Sequence, residues 1–225
     1  MADHQTAQIA WRDGTLPVST RFDDPYFSLT SGLEETRHVF LAGNDLPARL
    51  CDGFHVAELG FGTGLNMLAL ALANEGGPKV RFTSFEAFPM TVDDITKALD
   101  AFPEAAAISA PFLDAWAQGA RRFTLGTLSV EVIEGDARGK LAAWDGQADA
   151  WFLDGFSPAK NPELWGEDLM QEVGRHTVSG GTFATYTAAG HVRRALDAGG
   201  FDVTRCSGFG RKRHMSQGTK REDGK

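Results

Sequence analysis

HVAELGFGTGLN, residues 55–66, decides the fold. An apolar strand candidate at 55–59 runs into Gly60, Gly62 and Gly64, and a helical pattern opens at Leu65. Strand, glycine-rich turn and helix in that order make the cradle where α/β proteins hold nucleotide-like ligands against a helix N-terminus. Outward from it, short apolar strands alternate with helical patterns, as in a parallel sheet with helical crossovers. Strands are expected at 55–59, 80–85, 128–133, 148–153, 182–186 and 201–205. Helices are expected at 65–74, 92–102, 162–176 and 190–198, and the Ala-rich stretch 103–119 is helical without definable ends. The expected fold is therefore a doubly wound α/β domain over residues 51–214. Residues 1–50 read as an N-terminal extension packing on the core, turn-rich at 12–14 and 23–25, with one helix at 31–41. Residues 215–225 read as a polar, basic, frayed tail.

Composition narrows the class. The chain has 225 residues, 42% hydrophobic and 23% charged, a balance that excludes wholesale disorder. Glycine, 26 residues, is roughly 12% against an ordinary ~7%, which fits tight turns and close backbone approach to a ligand. Two cysteines, Cys51 and Cys206, make neither a disulfide framework nor a Cys-rich zinc module. The six histidines have no ligand spacing, so no metal site is expected. No apolar run approaches the ~20 residues of a membrane span, and the N-terminus lacks a signal-peptide pattern. A soluble, cytoplasmic protein is the expectation. The net charge is −8, but residues 205–225 carry a net +5 and the remainder −13. An acidic body with a basic end can still meet a polyanion locally.

The glycine turn is G-x-G-x-G, not the G-x-G-x-x-G of dinucleotide binders, and Glu58 sits two residues before its first glycine. A pyrophosphate would repel that carboxylate, whereas a ligand with a cationic end suits it. S-adenosylmethionine carries an ammonium and a sulfonium, and is the cofactor this pattern favours. Glu86 follows Gly64 by 22 residues at the tip of the second strand, a place to accept both ribose hydroxyls. A merely solvated carboxylate is its alternative. Asp136, after the third strand, either bonds an adenine amino group or caps a helix. Asp154 ends the fourth strand, where ligands of open α/β sheets bind. It is the candidate catalytic residue: a carboxylate bonded to an amine acceptor orients it and stabilises the charge that develops on methylation. Phe156 offers a flat wall for a base or adenine. Lys160 either touches a phosphate or is solvated, and Asn161 with Pro162 reads as N-cap and first helical position.

Several strings are more specific than any glycine turn: FDDPYFS at 22–28, GLEET at 32–36, AWFLDGF at 150–156, PAKNP at 158–162 with Trp165, and GFGRKR at 208–213. On these the chain resembles, over nearly its whole length, the methyltransferase domain of the bifunctional tRNA 5-methylaminomethyl-2-thiouridine biosynthesis proteins, the MnmC family. The resemblance implies the class I methyltransferase sheet, its last strand antiparallel and falling here at about 208–214. It implies methyl transfer from S-adenosylmethionine to the aminomethyl nitrogen of 5-aminomethyl-(2-thio)uridine at the tRNA wobble position. Glu58, Gly60, Gly62, Gly64 and Asn66 would line the methionine end of the cofactor, Glu86 its ribose and Asp136 its adenine. Asp154 would face the reacting amine, and Tyr26 and Phe27 would either close over the pocket or pack the extension onto the sheet. Arg211, Lys212 and Arg213, on the last strand, would meet tRNA phosphates near the anticodon loop. In the bifunctional proteins an FAD-dependent oxidoreductase domain follows; this chain reads as the stand-alone form, with such an oxidoreductase as a separate pathway partner. A nicotinamide-dependent oxidoreductase and a non-enzymatic tRNA-binding module are the competing classes. Glu58 and the glycine spacing count against the first, Asp154 beside a cofactor turn against the second.

Overall fold

The computed structural model describes residues 6–28 and 32–222. Three short antiparallel strands come first: β1 (Ile9–Arg12), β2 (Leu16–Ser19) and β3 (Asp24–Pro25). In the three-residue connection Asp13–Thr15 between the first two, Asp13 and Gly14 both have positive φ (51° and 74°), as the central residues of a type I′ turn do. Sequence reading saw those turns but not the strands, which are too short for an alternating pattern to register. Helix α1 (Gly32–Thr36) passes directly into a π-helical turn, Arg37–Leu41, and a 3-10 turn, Ala42–Asn44. Ser31, expected to open that helix, lies outside the described residues.

The main sheet is built from β4 (His55–Leu59), β5 (Val80–Glu86), β6 (Arg122–Leu125), β7 (Leu128–Glu134), β8 (Ala148–Leu153), β9 (Thr177–Thr185), β10 (Phe201–Ser207) and β11 (His214–Lys220). Its order is β10-β11-β9-β8-β4-β5-β7-β6. The run β9-β8-β4-β5-β7 is parallel, β6 is antiparallel to β7, and β11 is antiparallel to both its neighbours. Helices α2 (Leu65–Ala73), α3 (Val92–Leu99), α4 (Pro103–Ala106) and α5 (Ala110–Ala117) connect the strands of one half. The connections of the other half are α6 (Ala137–Ala142), α7 (Glu167–Arg175) and α8 (Gly190–Ala198).

Successive strand residues point to opposite faces, and both faces here are apolar, as a parallel sheet covered on both sides demands. Val56, Phe82, Ala150 and Phe152 pack with Met67 and Leu68 of α2. Ala57, Leu59, Trp151 and Leu153 pack on the other face with Leu169, Val173 and Leu196. The same alternation places Glu58 on the α2 face, next to Val56 in period and paired in register with Ser84. That period gathers polar groups at the carboxyl ends of β4, β5 and β8, on the α2 side of the sheet.

Two expectations are corrected. The antiparallel strand lies at His214–Lys220, not at 208–214, and residues 215–220 belong to the sheet and not to a frayed tail. A polar sequence can do this because β11 is held by ladders on both sides. Its Gly218 is also obligatory, since a Cβ there would come within 2.6 Å of Asp202 O and 2.5 Å of the Phe183 ring. The second correction is the helix 162–176, which divides into a 3-10 turn, Pro162–Trp165, and α7; Asn161 makes no side-chain capping bond. Strand β6 was not expected, although Gly126-Thr127 between RFTL and LSVEV is a two-residue hairpin signal.

Candidate active site

A cleft of about 1980 Å³ opens above the carboxyl ends of β4, β5 and β8, the place where open α/β sheets bind ligands. Its floor is the glycine turn. Gly60, Gly62 and Gly64 all have positive φ (86°, 53° and 76°), which L side chains adopt at a cost. At Gly60 a Cβ would lie 3.1 Å from Asp154 O, so this glycine lets the β4 turn pack against the tip of β8. At Gly62 it would lie 3.3 Å from Cδ1 of Tyr26.

Asn66, in the first turn of α2, organises the carboxylates. Its Nδ2 donates to Glu58 Oε1 at 2.9 Å and to Asp154 Oδ2 at 2.8 Å. Its Oδ1 accepts from Thr36 Oγ1 at 2.9 Å. Ser84 Oγ donates to Glu58 Oε2 at 2.6 Å, and Gly155 N donates to Asp154 Oδ1 at 2.8 Å. Burial raises the pKa of Glu58 well above the usual carboxylate range, against the opposing bonds from Ser84 and Asn66. Burial likewise pushes Asp154 up to about 6, with Asn66, the Gly155 N–H and the Lys212 charge pulling it down.

Glu58 does not line the cleft, contrary to expectation; strand alternation turns it toward α2, where Asn66 covers it. Gly64 also lies outside the lining, packed on Phe61 and Phe112 where it turns the chain into α2. Glu86 does reach the cleft, and its carboxylate accepts from Gly62 N at 2.9 Å and Phe88 N at 2.7 Å. Burial raises its pKa, while those backbone N–H groups oppose the rise. A carboxylate has about four acceptor positions, so Glu86 can hold the glycine turn and still accept hydroxyls. Asp136 caps α6 by accepting from Arg138 N at 2.9 Å, and its side chain pairs with Arg138 at the cleft rim.

The N-terminal strands form one wall. Asp24 accepts from Ser157 N at 2.8 Å, and Asp23 pairs with Lys160 Nζ at 2.6 Å. Lys160 thus faces a carboxylate of this wall in an exposed ion pair. Tyr26 stands over the glycine turn, its ring edge-on to Phe156 at 5.0 Å. One face of Phe156 is already covered by Phe22 at 4.7 Å, so the flat wall expected there is a stacked pair. Phe27 also lines the cleft and packs edge-on against Phe102. Arg211, Lys212 and Arg213 are not on a strand; they lie on the turn between β10 and β11. Lys212 is paired with Glu35 at 2.7 Å, while Arg211 and Arg213 are exposed.

Glu35, Thr36, Ser84 and Tyr186 were missed as site residues. Thr36 and Glu35 belong to the GLEET string quoted above, but nothing in its spacing tells which face meets the distant α2.

A deep cleft floored by positive-φ glycines and edged by buried carboxylates fits a ligand of mixed charge with ribose hydroxyls. The profile of a family described as S-adenosyl-L-methionine-dependent methyltransferase matches residues 103–221. The chain belongs to that family. The sheet order with its antiparallel β11 is that of class I methyltransferases, β6 being an added edge strand. The methyltransferase is 45% identical over 231 residues to the tRNA 5-methylaminomethyl-2-thiouridine biosynthesis bifunctional protein MnmC of Caulobacter sp. (strain K31). That match covers 95% of this chain and 38% of the relative. A protein of the same name from Chromobacterium violaceum is 43% identical over 229 residues, covering 96% of this chain and 34% of its own length. The chain therefore spans little more than a third of these relatives. The crystal structure of MNMC2 from Aquifex aeolicus superposes with a TM-score of 0.70 at 25% identity, covering 96% of this chain and 71% of that one. Among the described residues no helix is long and apolar enough to cross a membrane.

Proposed function

We propose that this methyltransferase transfers a methyl group to the aminomethyl nitrogen of 5-aminomethyl-(2-thio)uridine at the wobble position of tRNA. The observation that carries the reading is Asp154: a carboxylate at the tip of β8, held by Asn66 and Gly155 N, beside a glycine turn. The names of the relatives supply the acceptor. A methylaminomethyl group is an aminomethyl group carrying one added methyl, and the part of those proteins that this chain matches belongs to a methyltransferase family.

The turn at Gly60 and Gly62, together with Asn66 and Glu86, would hold S-adenosylmethionine, Glu58 acting through Asn66 and Asp136 lying toward the adenine. S-adenosylmethionine supplies an electrophilic methyl group on a sulfonium. The protein's own contribution is positioning. Asp154 accepts an N–H of the neutral amine, which directs the nitrogen lone pair away from the carboxylate. As the nitrogen gains charge, the same contact strengthens, and the low-polarity surroundings that raise the Asp154 pKa increase its worth. Tyr26, Phe22 and Phe156 exclude water from one side and offer aromatic surface to a splayed-out base, which an anticodon loop yields at less cost than a helix. Arg211 and Arg213 reach toward backbone phosphates of the anticodon loop. An FAD-dependent oxidoreductase acting in the same pathway would supply the aminomethyl acceptor, and the cytoplasm is the compartment that goes with tRNA modification.

The test is incubation with isotopically labelled S-adenosylmethionine and tRNA from cells lacking this modification, followed by nucleoside analysis. Label in 5-methylaminomethyl-2-thiouridine is the expected result. Label only in protein or small amines would refute the acceptor. Titration with S-adenosylhomocysteine and with NAD separates this reading from a nicotinamide-dependent oxidoreductase.

A further inference from the structure

Lys212 is held at the cleft rim between a carboxylate and an aromatic ring. Its Nζ lies 2.7 Å from Glu35 Oε1 and 4.1 Å from the centre of the Tyr186 ring. The Glu35 side chain is 15% exposed and that of Lys212 48%, so the carboxylate is part of the wall and the lysine reaches in from outside. A carboxylate and an aromatic face around an ammonium are how proteins hold alkylammonium ligands. The cage is fixed in place. Tyr186 donates its hydroxyl to Gly155 O at 2.8 Å, one residue beyond Asp154, and its ring meets Trp165 edge-on. Glu35, Tyr186, Lys212 and Asp154 all line the one cleft, and the charges of Lys212 and Glu35 both act on Asp154.

On the amine-acceptor reading above, we infer that Glu35 and the face of Tyr186 form the subsite that receives the acceptor's amino group beside Asp154, and that Lys212 occupies this subsite until the acceptor arrives. A primary amine that turns its lone pair toward a methyl donor has two N–H groups left to satisfy. Asp154 accepts one, and Glu35 is the second acceptor. The methylated product keeps two N–H groups and carries a positive charge, so both carboxylates and the aromatic face still match it. A hydroxymethyl group has one O–H and no charge, and gains little from the pair. Lys212 can leave without disturbing the sheet. Its turn, docked at Ser207 and Phe209 by His38, has exposed residues from Gly210 to His214 and a left-handed Gly210 (φ 56°).

The test titrates 5-aminomethyluridine and 5-hydroxymethyluridine, as free nucleosides, into the protein saturated with S-adenosylhomocysteine. Lys212→Met keeps the length and removes the charge. It is expected to bind 5-aminomethyluridine about tenfold tighter than the wild type and 5-hydroxymethyluridine equally well. Glu35→Gln is expected to bind 5-aminomethyluridine tenfold or more weaker, and the double variant loses the gain of Lys212→Met. Unchanged or weaker aminomethyluridine binding by Lys212→Met overturns the inference. So does a fall of about 0.7–0.9 in the salt slope of tRNA binding, which would make Lys212 a phosphate contact. Melting curves exclude unfolded variants. Wild-type methylation of hypomodified tRNA is run alongside: its absence refutes the acceptor assignment itself, whereas methylation with unshifted nucleoside affinities refutes only the subsite.

Discussion

Thr36 donates its hydroxyl to Oδ1 of Asn66 at 2.9 Å, across 30 residues of sequence and inside the protein. The bond matters because the opposite end of that amide donates to both Glu58 and Asp154. Polarising the carbonyl strengthens the N–H donors, and stronger donors favour the ionised acids. Thr36→Val would leave Oδ1 buried and unpaired, a cost of about 1–3 kcal/mol. The expected outcome is a lower melting temperature together with an Asp154 pKa raised further, so the acid limb of the kcat/KM profile moves to higher pH. Thr36→Ser should restore both. A loss of stability with an unmoved pH profile would reduce Thr36 to a packing role.

Asp154 gives the protein a pH dependence whose direction follows from its pKa of about 6. Below that value it is a neutral acid and loses its hold on a developing cation. The acceptor amine also protonates as pH falls. The wild type should therefore show log kcat/KM falling with a slope approaching two at low pH, and Asp154→Asn a slope of one at a rate about 10²-fold lower or more. Binding of S-adenosylhomocysteine should change little. The folded pKa lies above the ordinary value of 3.8, so folding takes up a proton. Stability from this group is thus fully present below about pH 4 and is lost as pH rises through about 6.

Glu86 braces the glycine turn, and on the proposed reading it also holds the cofactor's ribose; a conservative change separates these from simple charge loss. Glu86→Gln keeps the shape but offers an NH₂ where Gly62 N or Phe88 N now finds an acceptor. One charged hydrogen bond lost is about 1.5–3 kcal/mol, so the Kd for S-adenosylhomocysteine should rise about tenfold to a hundredfold. Affinity for tRNA measured without cofactor should stay the same. Calorimetry with each ligand checks this, and an unchanged cofactor Kd would confine Glu86 to bracing the glycine turn.

Much of this was legible because local chemistry and global fold agree around residues 55–66. The strand, the three glycines and the helix start are all where the pattern places them, and β4, β8 and α8 end on the expected residues. Asp154 was singled out for a physical reason: it follows the carboxyl end of β8, where open α/β sheets bind ligands. The misses have a common cause. Strand β11 is polar and is held by backbone ladders, so hydrophobic periodicity is blind to it. The pairing of Lys212 with Glu35 spans 177 residues, and that of Lys160 with Asp23 spans 137. Lys160 was read as either a phosphate contact or solvated and Lys212 as a phosphate contact, because a sequence shows the cation and not the distant carboxylate that meets it.

The remaining prediction follows from that distinction. Of the three basic residues between β10 and β11, only Arg211 and Arg213 are exposed and outside the Glu35 pair. Replacing both with Ala should weaken tRNA binding and leave S-adenosylhomocysteine binding unchanged. Each phosphate contact contributes about 0.7 to the slope of log affinity against log salt on a single strand and about 0.9 on a duplex. The double variant should therefore lose about 1.4–1.8 units of slope. Filter binding over a salt series on one tRNA, with wild type and variant of equal melting temperature, reads the difference directly. Parallel lines would mean that the turn does not touch the RNA, and the basic end of this acidic chain would then be a solvated face.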